Sequence, residues 1–466
     1  MARIGAGGEE WRAMDSAEVY NPNDHDDILR DARAGIERIR KTDVELRLVR
    51  RDGSPLAQTP VDVIQKRQAF CFGDQLWNLD RAYRTDQAHH DRWRYYKRRF
   101  ADLLNSATAL CYWTERTRND GPKSEDLQGE PQYEYFHACV DWAAGEGLTV
   151  KGHPLFWSIP KCVPDWVMKY DHETRMKFAE VRVRNLVAGA RGKVTVWDIV
   201  NEALWEPAFK NLDNRHWPHI ESADDLAEYI APVLGWAREE DPDALYTVND
   251  YGLTDRDKAD APTTPDGTRV TSRFQRERFL ELIDALDARG ALPDVIGLQS
   301  HTGGWSDHAL QIEAYEHLAP AGLPLHITEF WAHTKHLQEA GMPQEQIDQL
   351  QAEYVGNFLT VAFGHPAVES FFFWGIMNNA IRWRNDRSSG HDLTPLYHRM
   401  NELINNEWMT RESLTTDADG VVRFRGFFGD YTVRRTLESG QPTGTRFGIE
   451  KGQTGRRTLI VDPARP

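Results

Sequence analysis

The amino-acid sequence predicts an α/β fold, a (β/α)8 TIM barrel with a small β-rich module formed by the C-terminal tail, to which the N-terminal strands can also contribute. Two observations lead to this prediction. Eight apolar, β-branched or aromatic runs alternate with longer segments of helical periodicity over about 340 residues, the pattern of an eight-stranded barrel with insertions. No glycine-rich phosphate loop follows an early strand, which disfavours the alternative, a doubly wound open sheet.

The segment before the barrel is predicted to contain one helix and two strands. Apolar residues recur at helical spacing over residues 24–41. Two strand-like runs follow, at residues 44–49 and 61–65, and the turn-forming residues 52–55 separate them.

The barrel itself is predicted from eight strand-like runs that follow in order. These runs are residues 70–73, 106–113, 148–157, 194–200, 245–248, 295–299, 325–328 and 370–376. Helical periodicity fills most of the intervals between them, as in residues 173–188, 223–238, 271–288 and 343–362. Strands that alternate with helices in this way favour a parallel sheet closed into a barrel.

The tail after Met409 has a different texture, with short strand-like runs between turns that contain Gly and Asp. These runs are residues 421–424, 431–434, 445–449 and 458–461. We hypothesise that the two early strands pair with this tail. The chain then divides into an N-terminal helix and strands (1–69), the barrel domain (70–409) and a C-terminal β-rich module (410–466).

One short motif in the tail allows two interpretations. Residues 417–420, Asp-Ala-Asp-Gly, resemble the opening of a calcium loop, but the glutamate that should close such a loop is missing. A hairpin turn is therefore the favoured interpretation.

Composition and charge exclude several classes of function. The 56 Lys and Arg against 72 Asp and Glu give a formal charge of −16, which disfavours nucleic-acid and anionic-membrane partners. The longest apolar stretch, residues 371–377, is far shorter than the roughly 20 residues of a membrane helix. The four cysteines match no zinc or redox spacing, so we expect buried thiols. No H-E-x-x-H or comparable ligand set is present, so we expect no metal, and we expect no cofactor. No leader is visible at the start, which favours a cytoplasmic location with secretion as the alternative; the oligomeric state is left open.

Polar and aromatic side chains gather where the predicted barrel strands end, the edge at which barrels of this type build active sites. They are His153 and Trp157 after the third strand, Asn201 and Glu202 after the fourth, Asn249 and Tyr251 after the fifth, Gln299 and His301 after the sixth, Glu329 after the seventh and Trp374 after the eighth. Because Glu202 and Glu329 lie on strands three positions apart, we expect them to face each other across the barrel mouth.

Two facing carboxyl groups are what glycoside hydrolysis requires. One carboxyl with a raised pKa protonates the leaving oxygen, and the other stays ionised and attacks the anomeric carbon. Aromatic faces suit the apolar face of a sugar, and amides and imidazoles suit its hydroxyl groups. Sugar binding would also explain part of the high tryptophan content, 16 residues.

Five motifs, in order along the chain, resemble those of glycoside hydrolase family 10, the endo-β-1,4-xylanases. Residues 196–203, Val-Trp-Asp-Ile-Val-Asn-Glu-Ala, are similar to the family's W-D-V-V-N-E-A. The other matches are residues 326–330 to I-T-E-L, 152–157 to G-H-T-L-V-W, 297–301 to G-I-Q-S-H, and 373–375 to F-W-G. The leading strands and the Gly-Asp-Tyr-Thr-Val of residues 429–433 resemble the plant-type branch of the family.

The resemblance implies a role for each matching residue. Glu202 would be the general acid/base and Glu329 the nucleophile of a retaining double displacement. Asn201 would bind the sugar 2-hydroxyl, and His301, helped by Gln299, would hydrogen-bond the nucleophile. His153 and Trp157 would line the subsite of the cleaved sugar, with Trp374 as its floor and Trp383, a looser match, as a second tryptophan. Asn249 and Tyr251 would contact the leaving side.

Two departures from the family fall on the glycone side of the cleft. Where the family carries E-N-x-x-K-W, residues 108–115 read Thr-Ala-Leu-Cys-Tyr-Trp-Thr-Glu, and Ser158-Ile-Pro stands in place of H-S-Q.

Taken with the matching motifs, the sequence predicts a retaining glycoside hydrolase that cleaves internal β-1,4 linkages of xylan or xylo-oligosaccharides. The alternatives are a β-glycosidase acting on short oligosaccharides or other β-glycosides, and an inactive carbohydrate-binding barrel. The expected partner in each case is a β-linked oligo- or polysaccharide.

Overall fold

The computed structural model describes residues 25–116, 121–206, 209–211, 221–254, 261–302, 305–384, 391–436, 442–453 and 455–461. The chain begins there with helix α1 (Asp26–Ile39) and strands β1 (Lys41–Val49) and β2 (Pro60–Gln68). These are the predicted first helix and two early strands, except that residue 24 lies outside the described residues.

Eight parallel strands close into a barrel, which confirms the predicted fold. They are β3 (Cys71–Gln75), β4 (Ser106–Leu110), β5 (Thr149–His153), β6 (Val194–Asn201), β7 (Leu245–Asp250), β8 (Val295–Leu298), β10 (Leu325–Ala332) and β11 (Val368–Phe373). The ring closes because β11 pairs with β10 on one side and with β3 on the other. A two-residue strand that the sequence analysis missed, β9 (His301–Thr302), follows β8 and pairs with the end of β10.

Helices surround this barrel. They are α2 (Trp77–Arg84), α3 (Asp91–Leu103), α4 (Tyr133–Gly145), α5 (His172–Ala190), α6 (Ala223–Glu240), α7 (Ser272–Asp287), α8 (His308–Leu318), α9 (Lys335–Glu339), α10 (Gln344–Gly364) and α11 (Pro395–Glu402), with a π-helical turn at Leu403–Glu407 and short 3-10 turns at Pro160–Cys162, Val167–Lys169, Phe209–Asn211 and Ala319–Ala321. Helix α1 packs along α10, where a Cβ atom on Gly35 would lie only 2.4 Å from the carbonyl oxygen of Gly364.

The ring of Trp197 in β6 lies over Gly152 of the paired strand β5, in space that only a residue without a Cβ atom leaves free. A Cβ atom on Gly152 would lie 2.2 Å from the Cε3 atom of Trp197, a fully buried residue of β6. A side chain at position 152 would therefore require the Trp197 ring to move.

The remaining strands form a separate hairpin and, together with the early strands β1 and β2, a β-module. They are β12 (Ile381–Trp383) and β13 (His391–Leu393), which form a separate hairpin, and then β14 (Arg411–Thr415), β15 (Val421–Phe427), β16 (Gly429–Thr436), β17 (Pro442–Ile449) and β18 (Arg456–Ile460). One sheet of the module has the order β15-β1-β18 and the other β14-β2-β16-β17. The early strands therefore do pair with the tail, and Leu46, Val63 and Val433 share the apolar core that this pairing creates. The domain boundaries at residues 69/70 and 409/410 stay predictions.

The motif at residues 417–420 forms a turn, but the turn does not join a hairpin. The Oδ1 atom of Asp417 accepts hydrogen bonds from the backbone N–H groups of Asp419 (3.0 Å) and Val421 (2.9 Å). The two strands that this turn connects, β14 and β15, belong to different sheets. The predicted hairpin is therefore wrong: the side chain caps a crossing between the two sheets of the module.

The module covers the amino-terminal end of the barrel. Arg67, near the end of β2, donates to the carbonyl oxygen of Asn105 (3.3 Å), just before β4, and to the hydroxyl of Thr149, the first residue of β5. Trp408 packs on Phe72 and Phe363 from the same side. The opposite, carboxyl-terminal end of the barrel is left for the candidate site.

All four cysteines are free thiols; Cys71 is partly buried and Cys111, Cys139 and Cys162 are buried, as expected. Within the described ranges, none of the helices combines the length and the apolar character needed to cross a bilayer.

Candidate active site

The two predicted carboxyl groups lie at the carboxyl ends of their strands. Glu202 follows β6 with a positive φ of 59°, a conformation that costs a residue with a side chain on the order of 1 kcal/mol. Its backbone N–H donates to the carbonyl oxygen of Asn249 at the end of β7 (2.8 Å). Glu329 lies within β10, where its backbone N–H donates to the carbonyl oxygen of Gln299 (3.1 Å). Neighbouring strands thus fix the backbone that carries each carboxyl group.

A chain of side-chain amides connects the two carboxyl groups. The Nδ2 atom of Asn249 donates to Glu329 Oε1 (2.8 Å) and to Asn201 Oδ1 (2.9 Å). The Nε2 atom of Gln299 donates to the same Asn201 oxygen (3.0 Å) and to Glu202 Oε1 (3.0 Å). These side chains hold one another in single orientations, because each amide donor has a buried acceptor.

Glu329 is held as an anion. The Nε2 atom of His301 lies 3.0 Å from its Oε2, and the Nε2 atom of His153 lies 3.8 Å from its Oε1. Burial opposes ionisation of Glu329, but His153, His301 and Lys151 together outweigh it and lower its pKa to about 2. An ionised, buried carboxylate at this position is suited to nucleophilic attack.

A buried charge cluster fixes His153 in turn. Its Nδ1 atom lies 2.7 Å from Oδ2 of Asp198, and the Nζ atom of Lys151 lies 2.8 Å from the same oxygen. The side chains of Lys151 and His153 are 1% exposed and that of Asp198 is 0% exposed. The carboxylate therefore directs the other ring nitrogen of His153 towards Glu329.

Glu202 is held as an acid. Burial raises its pKa, and the negative charges of Glu329 and Glu206 raise it further, against the opposing hydrogen bond from Gln299, so that the pKa reaches about 7. Two neighbouring carboxyl groups with pKa values shifted in opposite directions can act as a proton donor and an anion at the same pH.

Aromatic rings form the walls of the site next to His153. Trp374 packs edge-on against the His153 ring, with 5.2 Å between ring centroids, and Trp157 packs against Tyr112 at 5.4 Å. The Nε1 atom of Trp157 is buried and has no hydrogen-bond partner among the described residues. These rings therefore line the site beside His153.

On the side of Glu202, Tyr251 stacks on Trp205 with 4.7 Å between centroids and 9° between ring planes. The structure thus brings together the predicted site residues His153, Trp157, Asn201, Glu202, Asn249, Tyr251, Gln299, His301, Glu329 and Trp374. For Trp383, the ring contacts within the described part of the chain are with Trp93 (5.0 Å), His391 (3.9 Å) and the guanidinium of Arg92. Its role in substrate binding stays a prediction.

The segment that departs from the family pattern runs beside His153. The N–H of Cys111 donates to the carbonyl oxygen of His153 (2.8 Å), and the N–H of Thr114 donates to that of Cys162 (3.1 Å). Between them the buried ring of Tyr112 lies 6.0 Å from His153 and 5.8 Å from Trp77. An aromatic side chain thus occupies this end of the cleft, in a segment without the family's Asn and Lys.

Several residues that shape the site were not predicted from the sequence. Lys151 and Asp198 are buried charged residues within largely apolar barrel strands. A charged residue in the middle of such a strand is the signal by which the sequence could have indicated them. The hydroxyl of Thr328 donates to Asn249 Oδ1 (2.5 Å) and fixes the orientation of that amide. Among the described residues, no group of three or more His, Cys, Asp or Glu is arranged to hold a metal ion.

Comparison with known sequences gives a family and several relatives. The model of "Glycosyl hydrolase family 10" matches residues 117–402, well over half of the 466-residue chain. Anti-sigma-I factor RsgI6 of Acetivibrio thermocellus is 26% identical over 406 residues, which cover 86% of this chain and 46% of that protein. Endo-1,4-beta-xylanase 2 of Arabidopsis thaliana is 24% identical over 430 residues, which cover 91% of this chain and 35% of that protein. The chain spans less than half the length of these two relatives.

Solved structures share the barrel. A GH10 endoxylanase retrieved from a sugarcane soil metagenome aligns with a TM-score of 0.53 at 17% identity, covering 72% of this chain and 97% of the other. Xylanase 10B from Thermotoga petrophila RKU-1, in complex with xylobiose, aligns with a TM-score of 0.52 at 19% identity, covering 73% and 95%. At such identities the likeness shows the fold, and it confirms the (β/α)8 barrel.

The family match and the strand-end motifs agree. The matched residues 117–402 include both carboxyl groups, Glu202 and Glu329, and the amides that connect them. The resemblance seen in the sequence is therefore confirmed, and the Arabidopsis relatives are consistent with its plant-type branch. The chain belongs to glycosyl hydrolase family 10.

Proposed function

We propose that the chain is a retaining glycoside hydrolase that cleaves internal β-1,4 linkages of xylan or xylo-oligosaccharides. The observation that carries this proposal is the pair of linked carboxyl groups, Glu202 with a pKa raised to about 7 and Glu329 with a pKa lowered to about 2. The substrate class is supported by relatives named endo-1,4-beta-xylanase and by the fold neighbour bound to xylobiose.

In the first half of the reaction Glu329 attacks the anomeric carbon while Glu202 gives its proton to the leaving oxygen. The bond to the leaving oxygen breaks, and a covalent glycosyl ester forms on Glu329. In the second half Glu202, now ionised, takes a proton from a water molecule that attacks the same carbon and releases Glu329.

The other site residues would bind and orient the sugar. Asn201 would contact the 2-hydroxyl, and His301 and Gln299 would keep the carboxyl groups in place. Near the cleaved sugar, His153 and Trp157 would line the subsite, and Trp374 would form its floor. Asn249 holds Glu329 directly, and Tyr251 would contact the leaving side.

Replacement of each carboxyl group tests this assignment. We expect Glu202→Gln and Glu329→Gln to lower kcat on xylo-oligosaccharides by several orders of magnitude without loss of folding, because each removes a group that the transition state needs. A matched control is Glu369→Gln, an exposed carboxylate 3.0 Å from Lys451 on the surface. Near-normal turnover in either site variant would contradict the proposal.

The two roles can be told apart with azide. In Glu202→Ala, azide should attack the glycosyl ester and give a β-glycosyl azide, because the nucleophile is intact. In Glu329→Ala, azide should attack the substrate directly and give the α-product. An α-azide from Glu202→Ala and a β-azide from Glu329→Ala would mean that Glu202 is the nucleophile and Glu329 the acid/base.

A second candidate function is a β-glycosidase that acts on short oligosaccharides or on other β-glycosides. It is favoured by the segment around Tyr112, which fills the end of the cleft beside His153. A product profile on a defined xylo-oligosaccharide series, compared with a panel of aryl glycosides, separates the two candidates. Sugar binding without hydrolysis of any of these substrates would instead support the inactive barrel.

A further inference from the structure

Trp331 is a large, exposed aromatic side chain beside the candidate nucleophile. It is 37% exposed, and it lies two residues after Glu329 in β10. The intervening Phe330 and the following Ala332 are buried in the core. Since side chains alternate along a strand, Trp331 projects from the same face as Glu329, about 6.6 Å further along the strand.

The ring of Trp331 is supported by a neighbouring ring. It stacks on His333, with 4.5 Å between centroids and 16° between ring planes. The backbone of Trp331 is paired with His301, the residue that contacts Glu329. The carbonyl oxygen of His333 accepts a hydrogen bond from Nε1 of Trp305 (2.9 Å), and Trp305 is itself buried. A ring supported in this way loses little conformational entropy when a ligand packs on it.

The position of Trp331 indicates which part of a substrate it would meet. The leaving oxygen must lie beside Glu202, and Glu202 is hydrogen-bonded to Gln299, which follows β8. Strand β9 comes next in the chain and pairs with the segment of β10 that carries Trp331. Trp331 therefore stands on the wall next to the leaving side, whereas His153 and Trp374 line the other side.

We propose that Trp331, stacked on His333, is a binding platform for a sugar ring in the leaving part of the substrate. An indole ring offers a flat apolar face that matches the C–H face of a pyranose. On the same side of the site, Tyr251 and Trp205 form a second aromatic stack. This inference rests on the proposed function, because that function defines the leaving side.

The test compares two substrates with the same glycone. Xylotetraose has a sugar as its leaving group, and β-xylobiosyl fluoride has a single atom. We expect Trp331→Ala to lower kcat/KM for xylotetraose roughly tenfold or more, with a change of less than about twofold for the fluoride. Trp331→Phe should retain most of the activity on xylotetraose, because the phenyl ring keeps an apolar face.

A control variant removes exposed apolar surface at the other end of the molecule. Ile460, 58% exposed on the β-module, serves this purpose, and Ile460→Ala should leave both values unchanged. An equal loss of Trp331→Ala activity on both substrates, or no loss on xylotetraose, would overturn the platform while leaving the proposed function in place.

Equilibrium binding separates the remaining outcomes. If the wild-type protein cleaves neither substrate, the proposed function fails, and calorimetric titration with xylotetraose decides the platform. Binding that weakens at least about fivefold in Trp331→Ala keeps the platform; binding that is absent, or equal in both proteins, overturns it.

Discussion

Replacement of Asp198 by asparagine would break the buried charge cluster at the base of the site. Its Oδ2 lies 2.7 Å from His153 Nδ1 and 2.8 Å from Lys151 Nζ, and the side chains of Asp198 and Lys151 are 0% and 1% exposed. Asparagine keeps the shape of the side chain and removes its charge. The Lys151 ammonium is then left in a site without solvent and without the carboxylate 2.8 Å away, and the anion of Glu329 is the more distant negative charge that remains.

The magnitude follows from this burial. Removal of one partner from a buried ion pair typically costs about 3–5 kcal/mol, because the remaining charge is desolvated and uncompensated. The asparagine oxygen can still accept one hydrogen bond, so we expect a value of about 3 kcal/mol for Asp198→Asn. This is a large share of the roughly 5–15 kcal/mol that separates folded from unfolded proteins.

Urea unfolding measures the effect. The variant Lys151→Met removes the other charge, and the double variant with Asp198→Asn should recover most of the lost free energy of unfolding. A matched control is the exposed pair of Lys451 and Glu369, 3.0 Å apart, for which Glu369→Gln should lower the free energy of unfolding by less than about 1 kcal/mol. A loss below about 1 kcal/mol in Asp198→Asn, or no coupling in the double variant, would refute the reasoning.

Three further predictions concern the site and its support. The reaction requires Glu202 protonated and Glu329 ionised, so kcat/KM should fall about tenfold per pH unit above the Glu202 pKa near 7. At acidic pH it should stay constant until the protein unfolds. A fall in kcat/KM that begins near pH 5 would contradict the raised pKa of Glu202. In Glu329→Gln the pKa of Glu202 should fall by about one unit, because a like charge is removed while burial, the larger cause, remains; carbon NMR titration of labelled glutamate measures it, and an unchanged or higher pKa would count against the coupling. Gly152→Ala should lower the melting temperature, because its methyl group would meet the buried Trp197 ring and overpacking costs about 1–3 kcal/mol; calorimetry that shows no loss of stability would mean that the ring can move.

The barrel could be predicted because its strands are buried on both faces. Such strands read as continuous apolar runs, and all eight of them were found in the sequence. Four strands were missed for a physical reason: besides the two described next, β12 and β13 have only three residues each. The two residues of β9 are too few to show a pattern, and β14, Arg-Glu-Ser-Leu-Thr, has one apolar residue in an exposed strand.

The candidate site was only partly visible in the sequence. Glu202 and Glu329 could be found because strand ends mark them. The pairing of Lys151 and His153 with Asp198 depends on the register between β5 and β6, which no single strand reveals. Trp331 follows a recognised motif, and its exposure became evident only when Phe330 and Ala332 were seen in the core.

The β-module has a consequence for synthesis of the chain. Its two sheets each contain an early strand in an interior position, β1 between β15 and β18 and β2 between β14 and β16. The ion pair of Glu45 with Arg423 joins residues 378 positions apart. At a synthesis rate of about 5–20 residues per second, β1 emerges roughly 20 to 75 seconds before this partner strand is made.

During that interval both early strands expose unpaired edges while the barrel is being completed between them. A segment of residues 410–466 made separately would lack the strands at the centre of both sheets. The module can therefore be completed only after the whole barrel has been synthesised.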